Sequence, residues 1–338
     1  MKNNIFPWLV PALRELDSRR GALPHALLIQ GRTGLGKTAL ALAFAQGLLC
    51  ERPGEGERPC GACEGCLWFS QGNHPDFRLI QPEALDESPE PDAESRRRDA
   101  EAASRQIRID QIRDVQALLA IGTHRRGLRV VLIRPAEALN VAASNALLKS
   151  LEEPPPSTVF LLVSSSPDRL LPTVRSRCQR VSVAPAPAAD AVPWLTARGV
   201  SDPEAALAYA ANAPLAVLEE AEQRPARDAL IRALASGQRD ALALVDLCQS
   251  AGPARAVAWL QKWVADLVLA RVASRARYHL RELPALRALA GAVALEPLLR
   301  LGRSLGASAA VAQHPLNARL FLEATFIGYT QLWEARHA

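Results

Sequence analysis

The stretch Ala26-Leu27-Leu28-Ile29-Gln30-Gly31-Arg32-Thr33-Gly34-Leu35-Gly36-Lys37-Thr38 decides the fold of the amino-terminal part of this chain. Its first five residues form a compact apolar run, which predicts a buried strand. Gly31–Thr38 is a glycine-rich turn, and Ala39–Leu49 continues as an Ala- and Leu-rich helix. Backbone N–H groups of such a turn cradle phosphate oxygens at the start of a helix. The order of strand, glycine loop and helix therefore predicts a nucleotide-binding fold.

The loop carries the complete pattern: Gly31 and Gly36 with four residues between them, followed by Lys37 and Thr38. The candidate nucleotide-binding residues are Gly31, Gly34, Gly36, Lys37 and Thr38. Lys37 is expected to reach the β- and γ-phosphates, and Thr38 is expected to ligate Mg²⁺. A chance glycine-rich turn is the alternative, and the flanking strand and helix favour the phosphate loop. The predicted ligand is ATP or ADP.

Hydrolysis needs acidic residues that the next strand does not supply. A metal-binding Asp, with a Glu beside it, is expected where the apolar strand Val130–Ile133 ends. Arg134 and Pro135 occupy those two places, and a cation there opposes Mg²⁺ binding. Glu137 lies three residues too late, so we predict nucleotide binding without turnover. The alternative is an unusual active site that recruits Glu137 or Glu152.

Four cysteines lie within seventeen residues and offer thiolates to one metal ion. They are Cys50, Cys60, Cys63 and Cys66. Zn²⁺ prefers four such ligands in a tetrahedron, and a site without an open position is structural. An iron–sulfur cluster and metal-free buried cysteines are the alternatives. Bunched cysteines suit a metal site in a reducing cytoplasm better than a disulfide framework.

Strand and helix signals divide the chain into three parts. Apolar runs predict further buried strands at Phe77–Ile80, Arg129–Ile133 and Thr158–Val163. Together with intervening helices they predict a parallel three-layer α/β domain over residues 1–184. It carries the cysteine module at about 50–66 and an acidic, Pro-rich segment at 82–105 that is predicted to be mobile. Ala- and Leu-rich helical patterns then predict an all-α remainder, with a small domain at 185–222 and a larger one at 223–338.

Composition sets limits on the class of protein. The chain has 338 residues, 49% hydrophobic and 22% charged, with a net charge of +5. This balance predicts globular folding and permits a nucleic-acid contact without requiring one. Aromatic residues make up 5%, which disfavours base stacking on an aromatic platform. No signal peptide and no apolar run of about 20 residues is found, so we expect a cytoplasmic protein without a membrane partner.

Two further motifs give the chain a family resemblance. Asn145–Pro155 reads Asn-Ala-Leu-Leu-Lys-Ser-Leu-Glu-Glu-Pro-Pro, and Ser176-Arg177-Cys178 follows shortly after it. The basic turn at Val174–Arg180 is by itself no more than solvated charge. With the phosphate loop and the cysteines, however, the chain resembles the bacterial clamp-loader subunits of DNA polymerase III. The resemblance implies an AAA+ P-loop domain with a zinc-binding insertion, a helical lid domain and a helical collar that mediates oligomerisation.

The resemblance also implies a role. The chain would be a stator subunit that does not hydrolyse ATP by itself but helps load the sliding clamp onto primed DNA during replication. Arg177, next to Ser176, would act as an arginine finger in trans and neutralise charge on the γ-phosphoryl group in a neighbouring subunit. Implied partners are gamma/tau-like ATPase subunits and the delta subunit, and, through the complex, the clamp and DNA.

Two other functions stay open at this point. An autonomous motor of the gamma/tau type would need the acidic strand end, and its mark would be ATP turnover by the isolated chain. A zinc-containing nucleic-acid binding module would use Arg96–Arg98 and His124–Arg126, and its mark would be steeply salt-dependent DNA binding. The predicted lid sequence Asn212–Leu215 lacks the arginine of gamma-like subunits, which favours the stator role.

Overall fold

The computed structural model describes residues 5–52, 58–85, 104–120, 127–312 and 317–336. The chain forms two compact units, residues 1–190 and 191–338. The division falls six residues beyond the predicted end of the first domain at 184. The predicted mobile segment at 82–105 lies mostly outside the described residues, as do the basic runs at 96–98 and 124–126.

A five-stranded, all-parallel sheet forms the centre of the first unit. Its strands are β1 (Ala26–Gln30), β2 (Phe77–Ile80), β3 (Arg129–Ile133), β4 (Thr158–Ser164) and β5 (Gln179–Ser182). Their order is β2-β3-β4-β1-β5. The central strands β3, β4 and β1 are buried almost throughout, as their continuous apolar sequences predict. Their carboxyl ends lie side by side, with Gln30 paired to Ser164.

The helices of the first unit precede and separate the strands along the chain. They are Val10–Ser18, Lys37–Leu48, Glu64–Ser70, Ile109–Ala120, Val141–Glu152 and Pro172–Ser176, with short 3-10 turns at Pro7–Leu9, Arg20–Ala22, Glu83–Leu85, Ala136–Ala138 and Pro167–Arg169. The Asn140 side chain accepts a hydrogen bond from Ala143 N and so caps the helix Val141–Glu152. Three consecutive prolines after Glu153 prevent that helix from continuing.

The four predicted strands are confirmed, and one strand was missed. β5 lies at an edge of the sheet next to β1, and three of its four residues are exposed. Its sequence, Gln-Arg-Val-Ser, is short and polar, so it carries no strand signal. The short helix Pro172–Ser176 before it was missed for the same reason, because five residues are too few to show a helical period.

The second unit is all-helical over its described residues, as predicted. From residue 188 onward the α-helices are Ala188–Thr196, Pro203–Tyr209, Pro214–Glu219, Arg224–Ala235, Ala241–Cys248, Pro253–Ala273, Leu283–Gly291, Leu295–Val311 and Ala318–Thr330, followed by a 3-10 segment Gln331–Arg336. Proline stands in the first turn of several of these helices, where its missing N–H is not needed. The separation of this unit into a lid and a collar stays a prediction. Among the described helices, none is long and apolar enough to cross a membrane.

A buried carboxylate organises one loop of the helical unit. Asp266 is fully buried, and its oxygens accept backbone hydrogen bonds from Arg277, Tyr278 and His279 at 2.7–2.9 Å. The His279 ring also contacts it, with 2.9 Å from Nδ1 to the carboxylate. Burial alone would raise the pKa of Asp266, but the hydrogen bonds from His279 and the backbone outweigh it and lower the pKa. The carboxylate is therefore ionised, and Nδ1–H of His279 donates to it.

Candidate functional site

The glycine loop joins β1 to the helix Lys37–Leu48, in the strand, loop and helix order that the predicted phosphate loop requires. Gly34 and Gly36 have φ of 80° and 85°, in the left-handed region that favours glycine. Gly36 stands immediately before the helix, so the first free N–H groups of the helix face the inside of the loop. The five predicted loop residues therefore lie in one turn at the carboxyl end of the sheet, where parallel α/β folds bind ligands.

Lys37 is buried and already has partners inside the protein. Its Nζ donates to the carbonyl oxygen of Arg32 at 2.6 Å and to Ser165 Oγ at 2.9 Å. Ser165 directly follows β4. Burial lowers the pKa of Lys37, and the nearby carboxylate of Glu137 acts in the opposite direction. Lys37 is thus held at the loop by neighbours that an incoming phosphate would have to replace.

Glu137 belongs to this site, which its position in the sequence did not predict. The 3-10 turn Ala136–Ala138 follows β3 and carries Glu137 toward the end of β4. There its Oε1 accepts hydrogen bonds from the backbone N–H of Ser165 at 2.9 Å and of Ser166 at 3.2 Å. Its Oε2 is buried and has no hydrogen-bond partner among the described residues. Glu137 lies three residues after Arg134 at the strand end, so its distance along the sequence alone argues against a place at this site. The 3-10 turn returns its carboxylate to the end of β4, and the sequence does not reveal that turn.

Arg134 occupies the strand end, and its guanidinium binds a neutral side chain. Its Nε donates to Gln81 Oε1 at 2.9 Å, and Gln81 follows the edge strand β2. No Asp or Glu follows β3 directly, since the next residues are Pro135 and Ala136. Glu152, the other acidic candidate, lies at the end of the helix Val141–Glu152 and pairs with Arg177 instead.

Aromatic residues before the first helix pack on the loop. Trp8 is buried, and its indole Nε1–H donates to the carbonyl oxygen of Leu35 at 2.9 Å. The rings of Phe6 and Trp8 stack with centroids 5.0 Å apart. A Cβ on Gly36 would come within 2.8 Å of the Phe6 ring. The contact between Trp8 and Leu35 has no local sequence signal, because 27 residues separate the two along the chain.

The four clustered cysteines meet in space. Their sulfur atoms all lie within 4.8 Å of one another. Sγ of Cys60 is 3.9 Å from that of Cys66, and Sγ of Cys63 is 4.0 Å from that of Cys50. A tetrahedron with Zn–S bonds of about 2.3 Å has edges of about 3.8 Å, so the arrangement fits one ion. The remaining two cysteines, Cys178 and Cys248, are buried in the core.

Backbone donors at the cluster favour thiolates. The N–H groups of Cys60, Cys63 and Cys66 point to sulfur atoms of the preceding cysteines at 3.4–3.5 Å. Hydrogen bonds from the backbone of Ala62 and Cys63 lower the pKa of the Cys60 thiol to about 6. Burial raises the pKa of Cys66, and a bound cation would be needed to deprotonate it. The cluster could therefore hold a metal ion.

Arg177 lies at the opposite end of the sheet from the glycine loop. It follows the helix Pro172–Ser176 and precedes β5, whose residue Gln179 pairs with Leu27 near the start of β1. Its side chain is one-third exposed and donates to the carbonyl oxygen of Thr173 at 2.9 Å. Ser176 Oγ donates to the same carbonyl at 3.0 Å.

Comparison with known proteins gives a consistent set of relatives. A family profile described as DNA polymerase III, delta subunit, matches residues 12–187, about half of the chain. DNA polymerase III subunit delta′ of Pseudomonas aeruginosa is 39% identical over 204 residues, covering 60% of this chain and 56% of that protein. The delta′ subunit of Yersinia pestis is 33% identical over 319 residues, covering 89% and 88% of the two chains. DNA polymerase III subunit tau of Escherichia coli is 35% identical over 158 residues, covering 47% of this chain and 21% of that protein.

Proposed function

Because the chain belongs to the DNA polymerase III delta-prime family, we propose that it is the stator subunit of a clamp loader. It joins gamma/tau-like ATPase subunits and the delta subunit in a complex that loads the sliding clamp onto primed DNA. The relative from Pseudomonas aeruginosa matches over little more than half of its own length, so the activity and partners belong to this proposal. The predicted cytoplasmic location belongs to it as well.

The position of Arg177 carries the proposal. Arg177 and the glycine loop lie at opposite ends of the same parallel sheet, so Arg177 cannot serve its own loop. A planar, permanently charged guanidinium near an edge strand is suited to reach the γ-phosphoryl group bound by a neighbour. There it lowers the barrier by stabilising charge that develops in the transition state. Ser176 supports the same turn.

We propose that the chain itself does not hydrolyse ATP. Arg134 replaces the acidic residue that would hold Mg²⁺ at the end of β3, and it binds Gln81. The glycine loop keeps its full pattern and supports binding of a nucleotide through its backbone N–H groups. The chain thus contributes geometry and one arginine to the assembly, while chemistry takes place in the ATPase subunits.

We propose structural zinc as the ion of the cysteine cluster. Sulfur–sulfur distances near 4 Å support a tetrahedral site with all four positions taken by protein ligands. The cluster would link the helix Lys37–Leu48, through Cys50, to the helix Glu64–Ser70, through Cys66. When bound, the ion supplies cross-linking and no reaction chemistry.

An autonomous motor of the gamma/tau type is the second candidate. Glu137 favours it, since this carboxylate lies near the loop lysine and has a buried oxygen that no described residue contacts by a hydrogen bond. The experiment is to reconstitute the clamp loader with wild type or Arg177→Ala and to measure ATP turnover stimulated by clamp and primed DNA. We expect Arg177→Ala to lower it at least tenfold with intact assembly, and the isolated chain to be inactive. Turnover by the isolated chain, or an unaffected variant assembly, supports the motor.

A further inference from the structure

Ser165 connects the loop lysine to the half-buried carboxylate of Glu137. Its hydroxyl accepts from Lys37 Nζ at 2.9 Å, and its backbone N–H donates to Glu137 Oε1 at 2.9 Å. Ser166 N–H donates to the same oxygen at 3.2 Å. Lys37 and Glu137 therefore lie on either side of one residue at the carboxyl end of β4. Within the described part of the chain, the second oxygen of Glu137 is buried and has no hydrogen-bond partner.

The Glu137 carboxylate already places a negative charge close to where a γ-phosphate would bind. In a phosphate loop the backbone N–H groups hold the α- and β-phosphates, while the lysine reaches on to the β- and γ-phosphates. Lys37 extends from the loop to Ser165, beside Glu137. A γ-phosphate bound by Lys37 would approach this carboxylate, and two negative groups at short range in a partly desolvated site repel each other.

Two arginines, one in the glycine loop and one after β3, offer little positive charge to offset a second anion. The Arg134 guanidinium is turned to Gln81, and Arg32 is exposed while its carbonyl oxygen accepts from Lys37. Lys37 Nζ and Glu137 Oε1 both contact Ser165, so a negative group already borders the space beyond Lys37. The loop and Lys37 can hold a β-phosphate, whereas a γ-phosphate would extend toward Glu137.

We propose that Glu137 makes this site select nucleoside diphosphates over triphosphates. Its carboxylate takes the place of the γ-phosphoryl group as the anionic partner of Lys37 and of the two N–H groups at Ser165 and Ser166. The inference rests on the proposed nucleotide binding and adds its specificity. This selectivity explains how a chain can keep a complete glycine loop and still not change its conformation with ATP. Bound ADP would leave the Glu137 contacts unchanged.

The test is a comparison of ADP and ATP affinities for the purified full chain by calorimetry, with Mg²⁺ and with EDTA. Wild type is expected to bind ADP at least tenfold more tightly than ATP. Glu137→Gln keeps an oxygen that accepts from the Ser165 N–H but removes the charge. It is expected to strengthen the binding of ATP alone and so to reduce the ratio of ADP affinity to ATP affinity about tenfold. Such a tenfold change corresponds to about 1.4 kcal/mol.

Two control variants separate specificity from general effects. Glu153→Gln removes the same charge from an exposed position at the other end of the sheet and should leave the ratio unchanged. Lys37→Ala should abolish binding of both nucleotides. An unchanged ratio in Glu137→Gln, or equal weakening of both nucleotides, overturns the proposal. If wild type and Glu137→Gln bind neither nucleotide, the selectivity is also refuted, while the stator role is judged separately by the Arg177→Ala assembly.

Discussion

Arg177 and Glu152 form an ion pair of 2.6 Å that joins the two sequence motifs of this chain. Glu152 ends the helix that carries the Asn145–Pro155 stretch, and Arg177 belongs to the Ser-Arg-Cys turn. The side chains are one-third and one-half exposed, so the pair contributes little to stability. The pair bears on access, because in the proposed role Arg177 would have to leave Glu152 before it could bind a neighbour's phosphate.

Glu152→Gln should therefore favour the proposed action in trans. Without its carboxylate partner, Arg177 binds a neighbouring nucleotide at lower cost. We expect the ATP concentration for half-maximal turnover of the reconstituted complex to fall about two- to fivefold, the range of an exposed ion pair. Asp168→Asn breaks the similar pair between Arg175 and Asp168 at 2.9 Å and should have no effect. A loss of activity in Glu152→Gln would mean that Glu152 positions Arg177 rather than competing for it.

Substitution at Gly36 tests the contact between the loop and Phe6. Gly36→Ala adds a Cβ at a φ of 85° and only 2.8 Å from the Phe6 ring. Gly72→Ala is the matched control, since Gly72 has a φ of 77° and nothing lies within 4 Å of the point where its Cβ would stand. A left-handed non-glycine residue costs about 1–3 kcal/mol.

Denaturant unfolding should show the larger loss for Gly36→Ala, since it adds a clash to the backbone strain. Equal losses for both variants would show that Phe6 gives way without cost. Gly36→Ala together with Phe6→Leu should recover part of the difference, because the smaller side chain makes room for the added methyl group.

Removal of zinc should loosen the amino-terminal unit. Purified protein is expected to contain a single equivalent of zinc by elemental analysis, and Cys63→Ser should lose it. Cys248→Ala, which changes a buried cysteine of the helical unit, should keep the metal. Since site formation is coupled to folding, a strong chelator should lower the thermal midpoint of wild type but not that of metal-free Cys63→Ser. Iron in place of zinc, or full zinc in Cys63→Ser, would contradict the assignment.

Asp266→Asn should destabilise the helical unit in a pH-dependent way. Asn offers one acceptor oxygen in place of the carboxylate, so buried donors that bind Asp266 lose their partner at a cost of about 1–3 kcal/mol. The pKa of Asp266 is lower in the folded protein than in the unfolded chain, so its stabilisation is fully present above about pH 4. As pH falls through the folded pKa, this stabilisation is lost, and the stabilities of wild type and variant should converge.

Urea unfolding between about pH 3 and pH 7 measures this difference. Asp246→Asn removes an exposed carboxylate that pairs with Arg319 at 3.2 Å, and it should change the stability by less than about 1 kcal/mol. A constant gap between wild type and Asp266→Asn at all pH values would show that Asp266 acts through its shape and not through its charge.

The sequence predicts the parts of the fold that depend on local patterns. β3 and β4 are continuous apolar runs, and the glycine loop fixes the position between β1 and its helix. The cysteine spacing predicts the cluster because nearby ligands need only short turns to meet. The places of Glu137 and Trp8 could not be predicted in this way. Each residue lies at the site because of a tertiary contact, and the spacing of residues in the sequence does not indicate such contacts. The sequence does not predict β5, because a strand at the edge of a sheet needs no continuous apolar sequence.

The parallel pairing of β1 and β5 has a consequence for any assembly of this chain. One end of the sheet carries Arg177 and the other end carries the glycine loop, so with the proposed roles the molecule would have a donor side and an acceptor side. If neighbouring subunits share one orientation, the arginine side of one subunit meets the loop side of the next, and the order of unlike subunits would then decide which loops are completed.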